Sequence, residues 1–157
     1  MNRMTGLTLR DLPYLRSAIA LATIARKVGD EPYGAVVVAS NGSVLVEARN
    51  TQNTTRDPTA HAEANAVRLL KTAVPRERLD GATIYASGEP CALCAEAIAG
   101  SGIRRVVFGA AAADMSDMDP AYSCRTVLAK APDPYEIYGP ILRDEAVVPL
   151  EGWTVRS

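Results

Sequence analysis

Apolar positions near the start of the chain recur at a helical spacing and then give way to strand-like runs. Leu12, Leu15, Ile19, Ala22 and Ala25 fall three or four apart, which predicts a first helix with one apolar face reaching about Val28. Thr8 and Asp11 ahead of it have the spacing of a capping box. The stretch "PYGAVVVASNGSVLVEAR" has a different pattern. Its two β-branched runs, Val36 to Val38 and Val44 to Val46, flank Asn41-Gly42, a dipeptide that favours a tight hairpin. A polar loop, "NTQNTTRD", leads to Asp57-Pro58, residues suited to a helix N-cap and first position, and predicts a second helix from Pro58 to about Lys71.

"ATIYAS" (Ala82 to Ser87) predicts a third strand. Pro90 is placed to open a third helix and Gly100 or Gly102 to close it, and "RRVVFGA" predicts a fourth strand. Strands alternating with short helices imply β-α-β units, with parallel pairing after the hairpin. Beyond Ala113 the pattern weakens: Tyr122 to Lys130 reads as helical and Ala146 to Leu150 as a short strand.

Composition narrows the class. The 157 residues suit one domain running the whole length, with no internal repeat or low-complexity tract. Net charge is −1 with a pI near 5.8, and no basic tail or stripe stands out, which argues against a high-affinity nucleic-acid partner. "MNRMTGLTLRDLPYL" lacks the apolar core of a signal peptide, and no apolar run is long enough to span a membrane. Three cysteines, two spaced C-x-x-C, do not make a disulfide framework in a chain this size, so a reducing cytoplasm is expected.

The candidate chemistry starts from the one histidine, His61, in "DPTAHAEANAVRLL". A lone histidine on a helix is ordinarily a partly buried side chain with no special role. Cys91 and Cys94 change that, because they stand three apart at the start of the next helix with both sulfurs on one side. An imidazole and two thiolates suit zinc, and three protein ligands plus water is a catalytic rather than a structural arrangement. The positive ends of two helices favour thiolate over thiol. Glu63, two residues past His61 and not needed as a ligand, is placed to shuttle a proton as a general acid and base. Two alternatives compete. A thioredoxin-like redox pair leaves His61 and Glu63 without a task, and a structural zinc site would need a fourth ligand such as Cys124, more simply read as a buried small hydrophobe.

"HAE" at 61–63 and "PCALC" at 90–94 together form the H-x-E…P-C-x-x-C signature of zinc nucleobase deaminases. Over roughly Gly34 to Gly109 the chain resembles the cytidine deaminase-like superfamily. "PYGAVVV", "DPTAHAEANAVR" and "EPCALCAEAIAGSGIRRVVFGA" look most like its branch of guanine deaminases and tRNA adenosine deaminases. The resemblance implies an α/β fold, a three-layer α/β/α sandwich around a five-stranded mixed sheet. It also implies Zn2+ held by His61, Cys91 and Cys94, Glu63 as the proton carrier, and a homodimer. Asn50 matches the family's base-binding asparagine, the backbone of Ala62 is expected to contact the substrate ring, and Glu89 is expected to brace the loop before Cys91.

The substrate implied is a free nucleobase or similar small aminated heterocycle, guanine-like first, with tRNA adenosine, cytosine, a pterin or a triazine as alternatives. Against tRNA stand the acidic pI and the acidic segment after the fourth strand, where Asp114, Asp117 and Asp119 would repel a phosphate backbone. Of these, Asp114 is the candidate acceptor for a base's N–H groups, a solvated loop being the plain alternative. Arg104 and Arg105 favour nucleic acid, though paired arginines before a strand are commonly surface residues. The match to guanine deaminases is incomplete, because "AIAGSG" (Ala97 to Gly102) has no aromatic where that family places one late in the helix. Trp153, Tyr135 or Tyr138 would stack on the base instead, unless Trp153 only pins the tail to the core.

Overall fold

A computed structural model describes residues 6–116 and 118–154. Five strands form one sheet in the order β2-β1-β3-β4-β5. They are β1 (Gly34–Val38), β2 (Val44–Arg49), β3 (Thr83–Gly88), β4 (Arg105–Ala110) and β5 (Glu136–Tyr138). β1 pairs antiparallel with both β2 and β3, whereas β3–β4 and β4–β5 are parallel. The sheet is therefore mixed, as the resemblance implied. Asn41-Gly42 makes the hairpin turn, with Gly42 at φ +89°, the left-handed backbone that favours glycine.

The alternation of β1 sorts its side chains between two cores. Ala35 and Val37 join Ile84 and Val106 on one face, packed against α3 (Ala62–Ala73) and α4 (Ala92–Ser101). Val36 and Val38 join Tyr85 and Val107 on the other, packed against Leu15 and Ala18 of α1 (Asp11–Lys27). Helices thus cover both faces in three layers. Gly34 lets α1 press onto the sheet, since a Cβ there would meet the Ala18 carbonyl oxygen at 2.2 Å.

Several boundaries differ from the sequence expectation. The second helix starts at Ala62, not Pro58, because Asp57 accepts from the Thr59 backbone N–H and hydroxyl and folds 57–60 into a turn. Part of the polar loop forms a short helix, α2 (Gln52–Thr55). Ala146 to Leu150 is not a strand: α6 (Arg143–Ala146) runs into a 3-10 turn at Val148–Leu150. Asp144 and Glu145 at the helix start favour that outcome, and the fifth strand is Glu136–Tyr138. The helix expected from Tyr122 is reduced to α5 (Cys124–Leu128), capped by the Ser123 hydroxyl. Half of the capping box forms: the Asp11 carboxylate accepts the Thr8 backbone N–H at 2.8 Å, while the Thr8 hydroxyl has no partner.

Arg105 is not a surface residue. Its guanidinium is buried and donates to Asp11 at 2.7 and 2.9 Å, and Asp11 also accepts from the Tyr85 hydroxyl at 2.6 Å. Arg104 donates to Tyr135, and Tyr138 lies against Arg105, so both tyrosines serve the β4–β5 edge. Among the described residues no helix is long and apolar enough to cross a membrane.

Candidate active site

The site lies at the carboxyl ends of the parallel strands, where two helices begin. His61 is the N-cap of α3 and Cys91 the N-cap of α4, both with extended backbone, and Cys94 follows in the first turn of α4. The two helices pack side by side on one face of the sheet. His61 Nδ1 is 3.5 Å from Cys91 Sγ and 3.4 Å from Cys94 Sγ. Zinc bonds of about 2.3 Å to sulfur and about 2.0–2.1 Å to nitrogen, at tetrahedral angles, put S and N about 3.6 Å apart. The observed spacings fit that ion. Among the described residues, these three alone group as metal donors, their ligand atoms all within 4.8 Å of one another.

Cys124 is buried on α5 and outside the donor group; its N–H donates to the Pro90 carbonyl. Glu63 is buried too, within hydrogen-bonding reach of the Cys94 thiol, and is likewise outside the donor group. Burial raises its carboxyl pKa, against the opposing pull of Cys94 and His61. Cys91 is pulled down to about 4 by the hydrogen bond from Cys94 and by His61. Cys94 shifts upward, through its hydrogen bond to Cys91 and through burial.

Asn50 is buried where β2 ends, and its side-chain amide bonds Gln52 at both ends. Ala62 is fully buried beside His61. Glu89 is fixed through its backbone N–H, which donates to the Ala110 carbonyl at 2.7 Å. Asp114 and Trp153, distant in sequence, line one cavity of about 100 Å³ together with Glu31, Tyr33, Met115 and Leu150. Asp114 holds Arg143 through both oxygens and accepts the Ala111 N–H. Asp119 caps its own turn, and Asp117 lies outside the described residues. Tyr135 and Tyr138 do not line the cavity.

A methyl on Gly88 would sit 2.9 Å from both Met115 Sδ and Tyr33 Cε1, so two cavity residues pack against the end of β3. Gly88 stands three residues before Cys91, no more than about 10 Å along the chain. The Tyr33 carbonyl accepts the Asn50 N–H. Sequence reasoning passed over Glu31 and Tyr33; the signal available was an acidic residue and a large aromatic in the loop just before β1.

Residues 10–110 match the model of the cytidine and deoxycytidylate deaminase zinc-binding region. The chain belongs to that family. As a family member it is a hydrolytic deaminase, and His61, Cys91 and Cys94 are positioned to bind its Zn2+. It is 38% identical over 157 residues to a probable cytosine deaminase of Schizosaccharomyces pombe, covering 95% of both chains. It is 29% identical to a guanine deaminase of Bacillus subtilis, over 89% of this chain and 91% of the other. A solved structure from a study of A-to-I editing by tRNA:A34 deaminases superposes with a TM-score of 0.76 at 28% identity, covering 88% of this deaminase and 99% of that chain.

Proposed function

We propose that this deaminase releases ammonia from a free nucleobase, with cytosine ahead of guanine. The observation that carries the chemistry is Glu63, buried beside a three-donor cluster that does not use it as a ligand. When bound, the cation supplies Lewis acidity that lets a water act as nucleophile near neutral pH. Glu63 takes the proton released in that attack and delivers it to the departing amine nitrogen. Its raised pKa suits a group that must both hold and give up a proton. Asn50 and the backbone of Ala62 orient the ring, and Trp153 and Asp114 border its far side.

Resemblance of motifs alone ranks a guanine-like base first. The near full-length likeness to a probable cytosine deaminase supports cytosine instead, as does the absence of an aromatic in Ala97 to Gly102. Ammonia release from cytosine, guanine, adenine, pterins and triazines tests this reading; turnover of none of them overturns it. A second reading, tRNA adenosine deamination, is favoured by the superposition on the tRNA:A34 deaminase structure. Against it, four arginines are engaged with acidic partners: Arg16 with Glu145, Arg104 with Asp133, Arg105 with Asp11 and Arg143 with Asp114. Tight tRNA binding with a steep salt dependence would decide for it. The proposal includes a cytoplasmic homodimer, for which sedimentation is expected to give about twice the 16.7 kDa chain mass.

A further inference from the structure

Four carboxylates are buried among the described residues: Asp11, Asp30, Glu31 and Glu63. Three have tasks. Asp11 holds Arg105, Asp30 holds Arg49 and the Thr54 end of α2, and Glu63 serves the metal centre. Glu31 differs. It is 6% exposed in the loop between α1 and β1, and its Oε2 accepts the indole N–H of Trp153 at 2.6 Å. Both residues line the cavity whose Tyr33 and Met115 pack on Gly88, three residues before Cys91. The other acid there, Asp114, has both oxygens on Arg143.

A base whose amino-bearing carbon faces Glu63 and the metal donors points its opposite edge away from them. In cytosine that edge carries N1–H, across the ring from the amino group, and in guanine the imidazole N–H. These are the nitrogens that a sugar occupies in a nucleoside. An ionised carboxylate only accepts hydrogen bonds, so it rewards an N–H there and leaves a substituted nitrogen with nothing to donate. The indole it holds is the natural surface for the ring's face.

We infer that Glu31 is the specificity-determining residue that selects free bases over nucleosides, accepting the ring N–H on the edge opposite the reacting amine while fixing Trp153 against the ring. The inference rests on the free-base reading above, and its test reads binding separately from turnover. Trp153 is the only tryptophan, so its emission reports on this cavity. In a zinc-loaded Glu63→Ala background, cytosine and 1-methylcytosine are titrated, then guanine and 9-methylguanine. The free base is expected to bind about 10- to 100-fold tighter than its methylated counterpart, the range for a hydrogen bond to a charged group. Adding Glu31→Gln preserves an acceptor for the indole, so a merely structural clasp survives it. It is expected to weaken the free base by about the same factor and to erase the discrimination.

Discrimination that persists in Glu31→Gln, or equal binding of free and methylated bases with Glu31 intact, overturns the inference. The second comparison needs no substitution at Glu31 and decides even if that variant does not fold. Free bases that bind with the expected preference while the unsubstituted enzyme deaminates none would overturn the proposed function alone. No binding of any base would overturn both.

Discussion

The ion pair of Asp11 and Arg105 lies between α1 and the sheet, on the face away from the metal donors, and its removal should separate stability from chemistry. Asp11 accepts four hydrogen bonds, two from Arg105, one from the Tyr85 hydroxyl and one from the Thr8 backbone. Asp11→Ala leaves the guanidinium buried without that partner, a loss of about 3–5 kcal/mol for a buried pair. The lower end applies, because Arg105 keeps the Gly6 carbonyl, the Thr83 hydroxyl and Glu136 at 3.9 Å. With a urea slope of about 2 kcal/mol per M, the midpoint is expected to fall by about 1.5 M.

The pH dependence gives a second check on the same variant. Burial alone would raise the pKa of Asp11, but hydrogen bonds from Arg105 and Tyr85 outweigh it and hold the folded value below 3.8. A lowered folded pKa contributes stability that is complete above the unfolded value and lost as pH falls through the folded one. The gap between parent and variant is therefore expected to hold from neutral pH down to about 4 and to close in stronger acid. Zinc content and turnover at 25 °C are expected to stay at the parent level. A midpoint shift under about 0.3 M at unchanged slope would refute the reasoning.

Glu63→Gln is expected to keep the metal yet lower kcat by about 100- to 10,000-fold, checked by ammonia release alongside zinc analysis. Ile84→Ala opens a hole in the core shared by β3, α3 and α4; a loss of about 2–5 kcal/mol is expected in urea unfolding. In the metal-free protein, alkylation mapped by mass spectrometry is expected to mark Cys91 first, with a rate nearly flat from pH 6 to 8 since its thiol titrates at about 4. Cys124, buried and pushed up to about 12, is expected to stay unmodified.

The hairpin, β3, α4 and β4 were legible because their signals are local: alternation, Asn-Gly, and proline and glycine at the helix ends. The metal donors were legible for a related reason, since their spacing is fixed within short motifs on neighbouring helix starts. The start of α3 was misplaced because Asp57 and Pro58 serve a turn as well as they would a helix. β5 escaped because three residues between prolines and a glycine carry too little pattern; its place comes from pairing with β4. The burial of Arg105 is a tertiary fact, set by an acid 94 residues away. The cavity was half legible. Asp114 and Trp153 stood out as residue types, but only folding brings them beside Glu31 and Tyr33.

X-ray absorption at the zinc edge of the purified enzyme tests the central claim most directly. Two sulfurs at about 2.3 Å, one imidazole nitrogen at about 2.0–2.1 Å and one further light donor are predicted, with one sulfur lost in Cys94→Ser. A third sulfur, or a spectrum unchanged by that substitution, would contradict an open site built from His61, Cys91 and Cys94.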